Sequence, residues 1–100
     1  MTLIDLHTKD IQGLCVQHKV RRFYAFGSAL TGKFDRNSDI DFIVDFEFQD
    51  LKYYADNYFN LKFALEDILK RRIDLLEEKA IKNPFFLQAI KNKRQLVYGH

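Results

Sequence analysis

Acidic and apolar residues alternate along one short run of the chain, residues 39–46, and this run constrains the fold more than any other feature. One side of an extended chain would carry only large apolar residues: Ile40, Phe42, Val44 and Phe46. The other side would carry three carboxylates and one aliphatic residue: Asp39, Asp41, Ile43 and Asp45. A period of two residues is typical of a β-strand that buries one face. The run therefore predicts a strand with an apolar face against a core and an acidic opposite face.

Helical and extended segments alternate around this strand. Helical spacing of apolar residues covers residues 3–18 and 50–70, and a third helix is predicted from Asn83-Pro84 to about Asn92, with Asn83 as the cap. Two further strands are predicted at Arg21–Phe26 and Arg72–Leu76, with a short loop-helix after the first, and residues 96–98 are expected as a short extended tail. The order predicts an α+β fold, a small mixed sheet of about three strands flanked by helices.

Composition limits the class of protein. A chain of 100 residues with 47% hydrophobic residues suits one globular domain spanning 1–100. The net charge of +2 argues against nucleic acid or an anionic membrane as the partner. The single cysteine, Cys15, excludes an internal disulfide and fits a reducing compartment. No apolar stretch approaches the roughly 20 residues of a membrane span, so we expect a cytoplasmic protein.

The acidic face of the central strand is a candidate metal site. Asp39 and Asp41 are two positions apart, so both carboxylates project from one face. Two crowded carboxylates favour a divalent cation, and Mg²⁺ prefers carboxylate oxygens together with substrate phosphates. An exposed strand also often presents aspartates to water, so the pair alone does not decide the matter. Asp45 is expected to be ordinary surface.

Two further motifs bear on the same site. Asp74 interrupts the apolar run at residues 73–76, and it either completes a three-carboxylate cluster or lies at an exposed strand position. Gly27-Ser28 closes the first predicted strand, where backbone N–H groups and the hydroxyl could bind phosphate. A Gly-Ser pair by itself indicates only a turn. It indicates a binding site here because it precedes the acidic strand at a distance that lets the two meet across one cleft.

Gly27-Ser28, ten intervening residues and then Asp39-Ile40-Asp41 resemble the signature of the DNA-polymerase-β-like nucleotidyltransferase superfamily. The short chain and the downstream Asp74 are similar to its minimal, MNT-type branch. The resemblance implies that Gly27 and Ser28 hold a nucleoside triphosphate, ATP above all, and that Asp39 and Asp41 bind two Mg²⁺ ions. It also implies that Asp74 binds metal on the acceptor side or helps to activate the acceptor hydroxyl.

The resemblance extends to activity and partners. It implies transfer of a nucleoside monophosphate to a hydroxyl, and MNT-type proteins of this size resemble antitoxins whose partners are helical HEPN-type toxins. The acceptor implied is a tyrosine of such a partner, modified with AMP. One departure concerns the turn: many members have arginines within G-S-x-A-x-G, whereas residues 27–32 here read GSALTG. This difference bears on nucleotide affinity and leaves the carboxylates unchanged.

The sequence is also compatible with functions other than catalysis. The missing arginines favour a non-catalytic binding module that neutralises a partner by occupying it, and self-association is also open. Aromatic residues surround more of the long predicted helix than one core stripe requires: Tyr53, Tyr54, Tyr58, Phe59 and Phe63. They indicate a protein partner. Nucleic-acid binding through the short basic runs at residues 21–22, 70–72 and 91–94 is the least favoured function, because the net charge is close to zero.

Overall fold

Residues 3–26, 39–47 and 49–99 are described by a computed structural model of the chain. The helices within these ranges are α1 (Leu3–Leu6), α2 (Thr8–Gln17), α3 (Leu51–Leu69) and α4 (Pro84–Lys93). The strands are β1 (Val20–Phe26), β2 (Ile40–Phe46), β3 (Ile73–Glu77) and β4 (Gln95–Tyr98), and a short 3₁₀ helix at Glu78–Ala80 follows β3.

The described strands form one mixed sheet in the order β3-β2-β1-β4. β1 pairs antiparallel with both β2 and β4, whereas β2 and β3 run parallel. The α+β prediction is confirmed, but the expected count of about three strands is too low. Residues 95–98, predicted in part as an extended tail, pair with the edge of β1 and bury Val97. A run this short has no readable period, so only the pairing reveals it as a strand.

The main core lies between one face of the sheet and helices α2 and α3. The apolar face of β2 is buried there, as the alternation predicts, and Phe42 stacks on Phe23 of β1 with ring centroids 4.7 Å apart. The helices contribute buried residues at helical spacing: Ile11, Cys15, Leu61, Leu65 and Leu69. This packing fixes β2 in register, because a slip of one residue would turn its carboxylates into the core.

The opposite face of the sheet carries a smaller core. Ile43 is fully buried there with Tyr24 and with Ile90 of α4. Both faces of β2 are therefore apolar at the middle of the strand, and the carboxylates are confined to its ends.

Local hydrogen bonds explain where the helices begin and end. The helix predicted over residues 3–18 is interrupted at His7, because the Thr8 hydroxyl donates to the Ile4 carbonyl at 2.9 Å and competes with the backbone ladder. Asp50 caps α3 by accepting from the Lys52 amide at 3.0 Å. Asn83 caps α4 as predicted, accepting from two backbone amides at 2.9 and 3.2 Å. None of the described helices has the length and apolar character to cross a bilayer.

Candidate active site

Two of the three candidate carboxylates belong to the beginning of β2. Asp39 immediately precedes the strand and is exposed, and Asp41 is its second residue and is half-buried. Strand alternation places Asp41 on the face opposite Phe42, which packs in the main core. Burial of Ile40 and Phe42 thus determines where the carboxylate of Asp41 points.

Asp74 is brought beside this pair by the parallel pairing of β3 with β2. It is the second residue of β3 and the register partner of Asp41, so the two residues share one face of the sheet on adjacent strands. Ile73 and Leu75 on either side of Asp74 are buried, whereas Asp74 itself is exposed. The two alternatives predicted for Asp74 are therefore compatible, because it is an exposed strand residue that also lies next to the acidic pair.

Crowding of these carboxylates affects Asp41. Its pKa is raised above the ordinary value of 3.8, first by burial and then by the negative charges of Asp74 and Asp39. The charged form is therefore disfavoured where it stands, and a nearby cation would relieve both the desolvation and the repulsion.

The chemistry of the donors fits Mg²⁺, a hard cation that prefers carboxylate oxygen. Among the described residues, however, no three His, Cys, Asp or Glu side chains converge tightly enough to enclose a metal ion. The three aspartates thus suit a cation in charge and ligand type, although their side chains do not converge into a three-ligand set. Their catalytic and metal-binding roles stay predictions.

The remaining predicted site residues, Gly27 and Ser28, lie outside the described residues. β1 ends at Phe26, the register partner of Asp41. The sequence motif therefore starts where a described strand is paired with the candidate site.

Hydrogen bonds from α3 hold β3 in place. The backbone amide of Ile73 donates to the Glu66 carboxylate at 3.1 Å, and the Tyr58 hydroxyl donates to the carbonyl oxygen of Leu75. Asp74 lies between these two anchored residues. The pKa of Tyr58 is raised by burial and then by the charges of Asp74 and Glu77, so its hydroxyl stays protonated and remains a donor.

The sequence-based prediction placed Tyr58 among the aromatic residues of a protein-binding surface and missed its hydrogen bond to β3. A signal for it exists, because a tyrosine on a core-facing stripe needs a partner for its hydroxyl. The same holds for Tyr54, four residues earlier, which donates to the Glu77 carboxylate. The identity of the partners follows only from the packing of α3 along β3.

Asp45 was expected to be ordinary surface, and this prediction is wrong. Its residue exposure is 3%, and its carboxylate lies 3.2 Å from the Arg22 guanidinium, 3.5 Å from the Lys79 ammonium and 3.9 Å from Arg21. Arg22 is its register partner on β1, and Lys79 comes from the 3₁₀ helix. Three cations therefore compensate the burial of this charge, which the alternating pattern of β2 cannot reveal.

Crowded carboxylates at one end of a mixed sheet suit enzymes that act on phosphate groups with divalent cations. The chain belongs to the polymerase beta nucleotidyltransferase family, whose model matches residues 9–100. It is accordingly a nucleotidyltransferase, and the resemblance inferred from the motif is confirmed.

Individual relatives agree with the family. A curated protein of Methanocaldococcus jannaschii, named "putative protein adenylyltransferase", is 33% identical over 82 residues, or 82% of this chain and 79% of the relative. A solved structure described as a "putative minimal nucleotidyltransferase" is 28% identical to this chain and has a TM-score of 0.78. The match covers 95% of each chain.

A more distant structure shares the fold. It contains a tri-AMPylated Shewanella oneidensis HEPN toxin in complex with an MNT antitoxin. The match has 21% identity and a TM-score of 0.66, and it covers 96% of this chain and 72% of the other.

Proposed function

We propose that this nucleotidyltransferase transfers AMP from ATP to a hydroxyl group of an acceptor protein. The observation that carries the proposal is the parallel pairing of Asp41 with Asp74, with Asp39 at the entry to the same strand. The name of the Methanocaldococcus relative supports protein adenylylation in particular.

The reaction requires an acceptor oxygen to attack the α-phosphorus of ATP. The new oxygen–phosphorus bond forms as the bond from the α-phosphorus to the α,β-bridging oxygen breaks, pyrophosphate leaves, and the hydroxyl gives up its proton. Asp39, Asp41 and Asp74 would hold two Mg²⁺ ions, which when bound supply positive charge to the phosphates. Asp74 is exposed on the edge strand, where an acceptor hydroxyl can approach it and transfer its proton. Gly27-Ser28 would bind the departing phosphates.

The acceptor proposed is a tyrosine on a helical protein of the HEPN type, with the present chain acting as its antitoxin. The structure of the AMPylated HEPN toxin with an MNT antitoxin supports this choice by its fold likeness. A cytoplasmic setting supplies ATP and fits the single, buried cysteine Cys15.

One assay tests the proposal. The protein is incubated with α-labelled ATP, Mg²⁺ and either the candidate partner or a lysate of the source cells, next to the double variant Asp39→Asn/Asp41→Asn. We expect label on the acceptor with the wild type, none with the double variant, and none in EDTA. Asp56→Asn is the matched control, because it removes an exposed carboxylate of α3 outside the site and should leave transfer unchanged.

A second function is favoured by a specific feature, the absence of arginine from residues 27–32. In that case the chain would neutralise its partner by binding alone. Tight partner binding without label, equal in wild type and double variant, would establish this alternative and end the proposal of transfer.

A further inference from the structure

An apolar groove lies between α3 and the outer edge of β3, apart from the carboxylates themselves. Its volume is about 340 Å³, within the range of roughly 300–1,000 Å³ typical of ligand sites. The walls are formed by Tyr54, Ala55, Tyr58, Phe59, Leu75 and Leu76. Among the described residues, Glu77 is the charged residue of this lining.

The groove and the candidate active site share strand β3. Leu76 and Asp74 are two residues apart on this strand, so their side chains project from the same face about 7 Å from each other. β3 is an edge strand of the described sheet, and Leu75, Leu76 and Glu77 of this strand line the groove. A molecule that places a hydroxyl at Asp74 therefore has the groove directly beside it.

The form of the groove favours side-chain insertion over addition of a strand. The carbonyl oxygen of Leu75, which an incoming strand would need, already accepts from the Tyr58 hydroxyl. The hydroxyl of Tyr54 is likewise committed to Glu77. What the groove offers is apolar surface between the α3 residues and Leu76.

Apolar surface also extends outward from the groove along α3. Phe59 is 47% exposed and stacks on Phe63, which is 58% exposed, with ring centroids 6.0 Å apart. Contiguous exposed aromatic residues next to a cleft mark a protein-binding surface. Glu77 lines the groove together with Phe59, so the surface combines an apolar centre with a carboxylate.

We infer that this groove selects the acceptor: it receives an apolar side chain that lies close in sequence to the acceptor tyrosine, and a basic residue next to it faces Glu77. The inference rests on the proposed function and adds the substrate class to it. Acceptors are protein segments with an aliphatic or aromatic residue and a lysine or arginine beside the modified tyrosine. The shape of α3 against β3 thus determines which tyrosine reaches Asp74.

Two substitutions test the groove without touching the carboxylates. Ala55→Trp fills it from an exposed position of α3, and Phe59→Ser removes part of one wall. Asn60→Trp is the matched control, because Asn60 is exposed on α3 and does not line the groove. Far-UV circular dichroism and ATP binding establish that each variant keeps its fold and its nucleotide site.

Transfer is measured with α-labelled ATP, Mg²⁺ and synthetic tyrosine peptides that differ in the neighbouring residues: Leu with Arg, Ser with Arg, or Leu with Glu. We expect wild type and Asn60→Trp to prefer the peptide with Leu and Arg by at least about tenfold in kcat/KM, the size expected for burying one aliphatic side chain. In Ala55→Trp and Phe59→Ser the preference for Leu over Ser should fall to about twofold or less.

The outcomes separate the two proposals. Transfer by the wild type at equal rates to all peptides, or a preference that both groove variants retain, overturns the groove as the selecting surface and leaves adenylylation standing. If the wild type labels lysate proteins but no peptide, the variants are compared by their labelling of lysate proteins. Equal labelling rates for the wild type and the groove variants then overturn the groove as the selecting surface. Failure of the wild type to label peptide or protein refutes the proposed function itself.

Discussion

Replacing Asp41 by asparagine should make the metal-free protein more stable while abolishing transfer. Asp41 is half-buried and paired in register with Asp74, so its charge is disfavoured by burial and by its neighbour. Like charges directly opposite in a sheet cost up to about 1 kcal/mol, and the partial exposure of the pair places the gain at about 0.5–1 kcal/mol. For a domain of this size that corresponds to about 2–8 °C in Tm.

The pH dependence has a definite sign. Because the folded pKa of Asp41 lies above the ordinary value of 3.8, the native state keeps this proton to higher pH than the unfolded chain does. Stability is therefore lost as pH rises from about 3.8 through the folded pKa. Below both pKa values the carboxyl is neutral, and wild type and Asp41→Asn should be equally stable with respect to this group.

Thermal and urea unfolding in EDTA, followed by titration with Mg²⁺, measure both effects. Wild type should gain about 2.7 kcal/mol at a Mg²⁺ concentration one hundred times its Kd, whereas Asp41→Asn should gain far less. Asp56→Asn should behave as wild type throughout. The reasoning is refuted if Asp41→Asn is less stable than wild type in EDTA at neutral pH, or if Mg²⁺ stabilises the two proteins equally.

Three further predictions concern the fold that positions the site. Phe42→Ala removes a fully buried ring stacked on Phe23, and should lower the free energy of unfolding by about 3–5 kcal/mol in urea titrations; a loss below about 1 kcal/mol would contradict this core assignment. Asp45→Asn leaves three cations facing a neutral amide, and should cost about 1–3 kcal/mol in the free energy of unfolding at pH 7; an unchanged free energy of unfolding would show that the buried charge contributes nothing. Asn83→Ala removes the cap of α4 and should cost about 1 kcal/mol with faster amide exchange in the first turn, whereas Asn83→Asp should preserve both.

The central strand shows how much local pattern can predict. Strict alternation in residues 39–46 correctly gave β2, its buried aromatic face and the projection of Asp41. The alternation failed to predict the burial of Asp45, because it shows on which face of the strand a side chain lies but not whether that face is exposed to solvent. Arg22 and Lys79, which surround that carboxylate, arrive from β1 and from the segment after β3.

Helix α4 and strand β4 also differ in how far the local sequence predicts them. The cap at Asn83 was predictable because the hydrogen bonds of a helix start join residues only two or three positions apart. Residues 95–98 form a strand only because the edge of β1 satisfies their backbone groups. That partner lies far away in sequence, so no local pattern contains it.

The sequence by itself determined the family, the strand that carries Asp39 and Asp41, and the face on which they stand, since spacing and alternation are local properties. Only the tertiary structure decided that Asp74 is the register partner of Asp41, because a parallel pair is joined through a distant crossover that leaves its register free in sequence. It also decided that α3 packs along β3, where Tyr58 anchors the strand and the groove opens beside Asp74. The residue types determine which chemistry the site can support, and the tertiary packing determines which residues surround each carboxylate.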